Sequence, residues 1–148
     1  MSTKRQQQRI EMDQEKLIRE AQRAAENSYA PYSEFHVGAA LLSEDGTVFR
    51  GANVENRSYG LSICAERSAL VSAVSAGHTR FNAIAIFSPD SPYPISPCGA
   101  CRQVLSEFLS PDTPLHFVSQ SGEVSTHLMG EVFPFDALHE LKDRQPRG

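Results

Sequence analysis

The sequence predicts an α/β fold, a three-layer α/β/α sandwich around a central mixed sheet of about five strands. Three observations predict it. Segments with helical apolar periodicity alternate with a few short, buried strand-like runs. The length of 148 residues, with 40% hydrophobic and 22% charged residues, suits one ordinary domain with its own core, and no repeat or linker divides it. Finally, two segments read as strand–loop–helix units, each with a cysteine at the start of its helix.

The elements follow in order. Residues 1–9 are polar and low in complexity, and are expected to be a flexible tail ahead of one domain over residues 10–143. From Ile10 to Tyr29 the apolar positions Leu17, Ile18, Ala21, Ala24 and Ala25 recur at helical spacing, and Pro31 ends the run. Phe35 to Leu42 reads as a buried strand, turned by Glu44-Asp45-Gly46-Thr47 into a second strand at Val48–Arg50. Cys64 to Val74 reads as a helix stopped near Gly77, and Phe81 to Phe87 as a strand buried on both faces. After a proline-rich loop come a helix from Cys98 to Leu109, strands at Leu115–Ser119 and Glu123–Thr126, and a short helix from Asp136 to Lys142. Residues 144–148 are expected to form a second flexible tail.

The composition excludes several classes. Net charge is −4, with no basic stripe of the kind that neutralises phosphates, so no nucleic-acid partner is expected. No run approaches the roughly 20 apolar residues of a membrane span, and no secretory signal is read, so no membrane partner and a cytoplasmic location are expected.

Three cysteines carry the chemistry. Cys98-Gly99-Ala100-Cys101 is a C-x-x-C pair, which alone divides between redox and metal readings. Cys64 at a second helix start favours metal, because zinc takes thiolates readily and keeps an open position when it is catalytic. A structural zinc would use four protein ligands; a fourth cysteine is lacking, and none of the five histidines lies near the cysteines in sequence. Three ligands plus water is the better reading, with one Zn²⁺ per chain. Glu66, in the first turn beside Cys64, is a candidate general acid/base, although an acid there also complements a helix dipole. Three thiolates and Zn²⁺ sum to −1, so nearby donors must draw charge from the sulfurs. The two helix N-termini and Arg67, three residues beyond Cys64, are the candidates.

Cys64-Ala65-Glu66-Arg67 and Pro97-Cys98-Gly99-Ala100-Cys101-Arg102-Gln103-Val104 resemble the signature of the zinc-dependent cytidine deaminase family. Tyr29-Ala30-Pro31-Tyr32-Ser33, Phe35 to Leu41 and Gly51 to Asn56 extend the likeness over most of the chain, which looks like the small homotetrameric class. The resemblance implies that Cys64, Cys98 and Cys101 hold zinc and that Glu66 shuttles protons during hydrolysis of cytidine and 2′-deoxycytidine at C4, a pyrimidine salvage reaction. It further implies that Asn53 and Glu55 bind the ribose hydroxyls of a nucleoside substrate. Phe35 would pack against the nucleoside, and the Ala65 backbone N–H would hold a polar edge of the base. Tyr59 would serve a neighbouring subunit's site, and Phe135 would act as an aromatic lid. The chain departs from the family pattern at Arg57, where a small residue is usual, and at Val132-Phe133-Pro134-Phe135. The rival readings are a deaminase of blasticidin S or another modified nucleoside, a polynucleotide deaminase, and a non-catalytic zinc module with a fourth protein ligand.

Overall fold

A computed structural model describes residues 3–143. The helices are α1 Lys4–Ala25, α2 Ala65–Ser75, α3 Gly99–Ser106, α4 Met129–Val132 and α5 His139–Asp143; the strands are β1 Gly38–Ser43, β2 Val48–Ala52, β3 Phe81–Phe87, β4 Pro114–Val118 and β5 Val124–Leu128. The strands form one mixed sheet in the order β2-β1-β3-β4-β5. Only β3 and β4 run parallel, and α3 lies in the connection between them, as a parallel pair requires. The β1–β2 pair is a hairpin closed over Gly46 at φ +93°, where the Thr47 N–H bonds the Asp45 side chain.

Alternation along the strands builds the two faces. Ala39 and Leu41 of β1 join Ile84, Ile86, Leu115 and Phe117 beneath α2 and α3, while Ala40 joins Ala83, Ala85 and Phe87 beneath α1. Fully buried Leu70, Leu105 and Leu115 anchor the first face, each contributing roughly 1.5–3 kcal/mol by removal from water. Two glycines set how closely the helices approach. A Cβ on Gly38 would lie 2.1 Å from the Ala21 carbonyl oxygen, and one on Gly51 would lie 2.2 Å from the Ala69 nitrogen. The α1 and α2 backbones therefore rest directly on β1 and β2, and any side chain at Gly51 would push the helix that carries Glu66.

The three-layer fold matches the expectation, and several boundaries move. The expected tail over residues 1–9 is helical from Lys4 onward. Thr3 and Gln6 form a reciprocal cap, with Gln6 N–H to Thr3 Oγ1 at 3.2 Å and Thr3 N–H to Gln6 Oε1 at 2.8 Å. A polar composition hid this Thr-x-x-Gln start. Residues 144–148 lie outside the described residues. Helix α1 ends at Ala25 instead of Tyr29, whose backbone bridges to Val54. Residues 35–37 precede β1 because side chains take most of their backbone groups, the Val37 carbonyl alone accepting from the Asn53 backbone N–H just after β2. Strand β3 is buried except at Asn82. The turn of helix at α4 was not expected. Among the described residues, no helix is long and apolar enough to cross a membrane.

Candidate active site

Two helix starts meet. Cys64 is the N-cap of α2 (φ −75°, ψ 155°) and Cys98 that of α3 (φ −66°, ψ 167°), and neither side chain caps its own helix. Their sulfurs instead lie 3.8 Å apart, and with Cys101 in the first turn of α3 all three Sγ atoms fall within 4.8 Å of one another. All three cysteines are free.

The cluster fits zinc. A tetrahedral ion with Zn–S bonds of about 2.3 Å has sulfur–sulfur edges of about 3.8 Å, the Cys64–Cys98 separation. Among the described residues no histidine joins the group. Each ring has another partner: His36 with Asp90, His78 with Ser43, His116 with Thr126, His127 with Ser125 and His139 with the Asp136 carbonyl. The rival reading that needs a fourth protein ligand finds none among the described residues. Arg67 Nη2 donates to Cys64 Sγ at 3.5 Å, and its buried Nε–H has no partner, a spare donor beside the sulfurs. Hydrogen bonding from Cys101, then the Arg67 guanidinium, pulls the Cys64 thiol down to about 5, whereas donating to Cys64 and burial push Cys101 upward. The protein alone thus favours the thiolate at Cys64 and the thiol at Cys101, and binding a metal to Cys101 must release its proton.

Glu66 stands in the first turn of α2, 4% exposed, and burial pushes its carboxyl up to about 7. Such a group can hold and return a proton near neutrality. It lines a cavity of about 350 Å³ together with Cys64, Cys98, Phe35, Asn53 and Glu55. Asn53 and Glu55, two apart in an extended segment, face the same way. Asn53 Oδ1 accepts from Val37 N–H at 2.9 Å and from the Ser28 hydroxyl, and its Nδ2 donates to the Phe35 carbonyl at 2.8 Å, leaving one N–H for a ligand. Glu55 accepts from the Ser33 hydroxyl at 2.5 Å and from the N–H groups of Tyr32 and Ser33 at 3.0 and 3.1 Å. These bonds, the Ser33 hydroxyl's first, hold its carboxyl below the usual range. Ala65 is the first residue of α2, so its N–H has no intrahelical carbonyl and stays available.

Of the residues expected at the site, Tyr59 and Phe135 do not line this cavity. They are 76% and 89% exposed, and Tyr59 packs edge-on against Tyr32. Several contributors were missed, Ser33, Val37 and Ile63 of the cavity lining among them. Ser62 and Ser96 line the cavity, each two residues before an N-cap cysteine, and the repeated Ser-x-Cys pattern was the available signal. Arg102 binds the carbonyls of Pro97 and Val132 at 2.8 Å each and Ser96 Oγ at 3.2 Å, tying the turn before α3 to the end of α4.

A mixed sheet that brings three cysteine sulfurs and one buried carboxyl group to two adjoining helix tips defines a zinc-dependent deaminase. Residues 11–116 match the family described as the cytidine and deoxycytidylate deaminase zinc-binding region, and the chain belongs to that family. A cytidine deaminase of Halalkalibacterium halodurans is 49% identical over 123 residues, 83% of this chain and 92% of that protein. One from Sporosarcina psychrophila is 46% identical over 123 residues, covering 83% of this chain and 90% of its own length. The crystal structure of cytidine deaminase from Burkholderia pseudomallei superposes with a TM-score of 0.78 at 48% identity, covering 81% of this chain and 95% of the other. Zinc is accordingly the metal of the Cys64, Cys98 and Cys101 cluster.

Proposed function

We propose that the chain hydrolyses the 4-amino group of cytidine and 2′-deoxycytidine, giving uridine or 2′-deoxyuridine and ammonia, as a pyrimidine salvage enzyme. One observation carries the reading: a buried proton carrier, Glu66, shares a cavity with the sulfur cluster and with two polar side chains spaced to grip a sugar. Zinc, when bound, supplies a Lewis acid that makes a water acidic near neutral pH. Glu66 takes a proton from the attacking water and gives it to N3 of the base, which leaves C4 open to attack. Glu66 then takes the proton of the new C4 hydroxyl and passes it to the 4-amino nitrogen, and ammonia departs as the C4 carbonyl forms. Asn53 and Glu55 hold the ribose hydroxyls, Phe35 forms an apolar wall against the nucleoside, and the Ala65 N–H meets a polar edge of the base. Holding C4 in place in this way removes an entropic part of the barrier.

The same reading has the chain working as a homotetramer in the cytoplasm. Tyr29, Tyr32, Tyr59 and Leu61 are exposed along one stretch of surface, and such apolar exposure suits contact with another copy. Tyr59 then reaches a neighbour's cavity and Phe135 serves as a lid. Three free thiols suit a reducing compartment. The test is turnover of cytidine, 2′-deoxycytidine and blasticidin S by the zinc-loaded protein, with its mass measured by light scattering. The expected result is equimolar uridine and ammonia from cytidine, little turnover of blasticidin S, and a mass of four chains. Preferential turnover of blasticidin S would overturn the substrate assignment, and a monomer at assay concentration would overturn the assembly.

A further inference from the structure

The segment from Tyr32 to Val37 has no regular structure, yet it supplies Ser33, Phe35 and Val37 to the cavity. In its middle, Glu34 has φ +57°, the only left-handed residue other than glycine among the described residues. An L side chain keeps that conformation only where its surroundings hold it. Glu55 anchors the residue before it, through the N–H and hydroxyl of Ser33. On the other side Asn53 holds the Phe35 carbonyl and the Val37 N–H, and a further anchor comes from a different part of the fold, the loop after β3. There Asp90 Oδ2 accepts the backbone N–H of His36 at 2.8 Å and lies 2.8 Å from the Nδ1 of the same ring. An imidazole carrying its proton on Nδ1 donates that second bond without being charged. One carboxylate oxygen thus fixes both backbone and side chain of His36, across 54 residues of sequence.

Nothing in the proposed chemistry uses Asp90 or His36. We propose that they are positioning residues for substrate binding: a clasp that, opposite the Glu55 anchor, keeps Glu34 left-handed and so holds Phe35 in the cavity wall. The inference rests on the reading of Phe35 as that wall. Released from Asp90, His36 is held only through the Asn53 bonds to its two neighbours, Glu34 relaxes toward an ordinary conformation, and Phe35 shifts away from the nucleoside. The cysteines and Glu66 sit at the starts of α2 and α3 and make no hydrogen bond to the clasp, so the loss falls on binding and spares the chemical step. An ordinary surface ion pair between groups this exposed would leave both untouched.

Steady-state kinetics with cytidine on the zinc-loaded full chain tests this, using Asp90→Ala, Asp90→Asn, Phe35→Ala and the Asp90→Ala/Phe35→Ala double variant. Asp90→Ala is expected to raise KM about 3–10-fold, with kcat within about twofold and one zinc per chain retained. Asp90→Asn keeps an oxygen for the His36 N–H and should fall between wild type and Asp90→Ala. Because both act through one side chain, the double variant should show the KM of Phe35→Ala alone. A raised KM in Phe35→Ala with an unchanged KM in both Asp90 variants would overturn the clasp by itself, as would fully multiplicative effects in the double variant. An unchanged KM in Phe35→Ala would overturn the wall reading and the clasp with it.

Discussion

The α2 and α3 tips are two versions of one device. Each opens on an extended cysteine that leaves its helix uncapped and turns its sulfur toward the other. They differ in the next turn. At α2, Cys64 is followed by Ala65-Glu66-Arg67, a buried acid and an arginine bonded to sulfur; at α3, Cys98 is followed by Gly99-Ala100-Cys101-Arg102, a second sulfur and an arginine bonded to backbone carbonyls. In the proposed function the first tip carries the proton chemistry and tunes the metal electrostatically, while the second supplies the extra ligand and braces the scaffold. Similar helix-start geometry serves both, and the residue placed two or three positions on decides the role.

Substitutions at matched positions separate the two tips. The largest effect is expected for Cys98→Ser, which should lose stoichiometric zinc in elemental analysis and with it measurable deamination; full zinc retention would contradict the three-sulfur site. Arg67→Gln removes the donor to Cys64 and should lower zinc affinity or kcat roughly 10–100-fold, as loss of an outer hydrogen bond to a metal ligand commonly does. Competition with a chelator, alongside turnover, reads it. Arg102→Met should instead act on the fold. It strips the donor from two carbonyls and should cost about 1–3 kcal/mol in urea denaturation while leaving zinc binding near normal. If the two arginine variants behave alike, the division between the tips is wrong. The smallest effect lies away from both tips, at His116 on β4, whose imidazole burial pushes below its ordinary 6.5. The folded chain then resists a proton that the unfolded chain accepts, so stability should fall as pH drops below about 6.5 and hold above it. His116→Gln should flatten that slope in denaturation curves taken from pH 7.5 to 5.5, and an unaltered slope would exclude His116 as its source.

The sequence carried the sheet and the two cysteine-bearing helix starts as local patterns, apolar period and cap position, whereas Phe35, Asn53 and Glu55 came from the family resemblance, with only the two-residue spacing of the last two read locally. What stayed hidden depends on contacts distant in sequence. Arg102 looks like a surface residue of α3 until Val132, 30 residues on, comes to meet it. His36 looks like a strand residue until Asp90 takes its N–H, which is also why β1 starts three residues later than its apolar run suggests. Tyr59 is exposed in the single chain, so its role in a neighbour's site depends on an assembly that no one chain displays, and Phe135, the expected lid, is exposed and outside the cavity lining. The early start of α1 was a different kind of miss, since Thr3 and Gln6 carried a local cap signal that polar composition masked.

The central claim is that metal and proton carrier are separable parts held at one cavity. Glu66→Ala tests it most directly, with zinc content and cytidine kcat measured on the same preparation. The account expects about one zinc per chain and a fall in kcat of at least ~10²-fold. A variant that keeps its zinc and deaminates cytidine at the wild-type rate would contradict it.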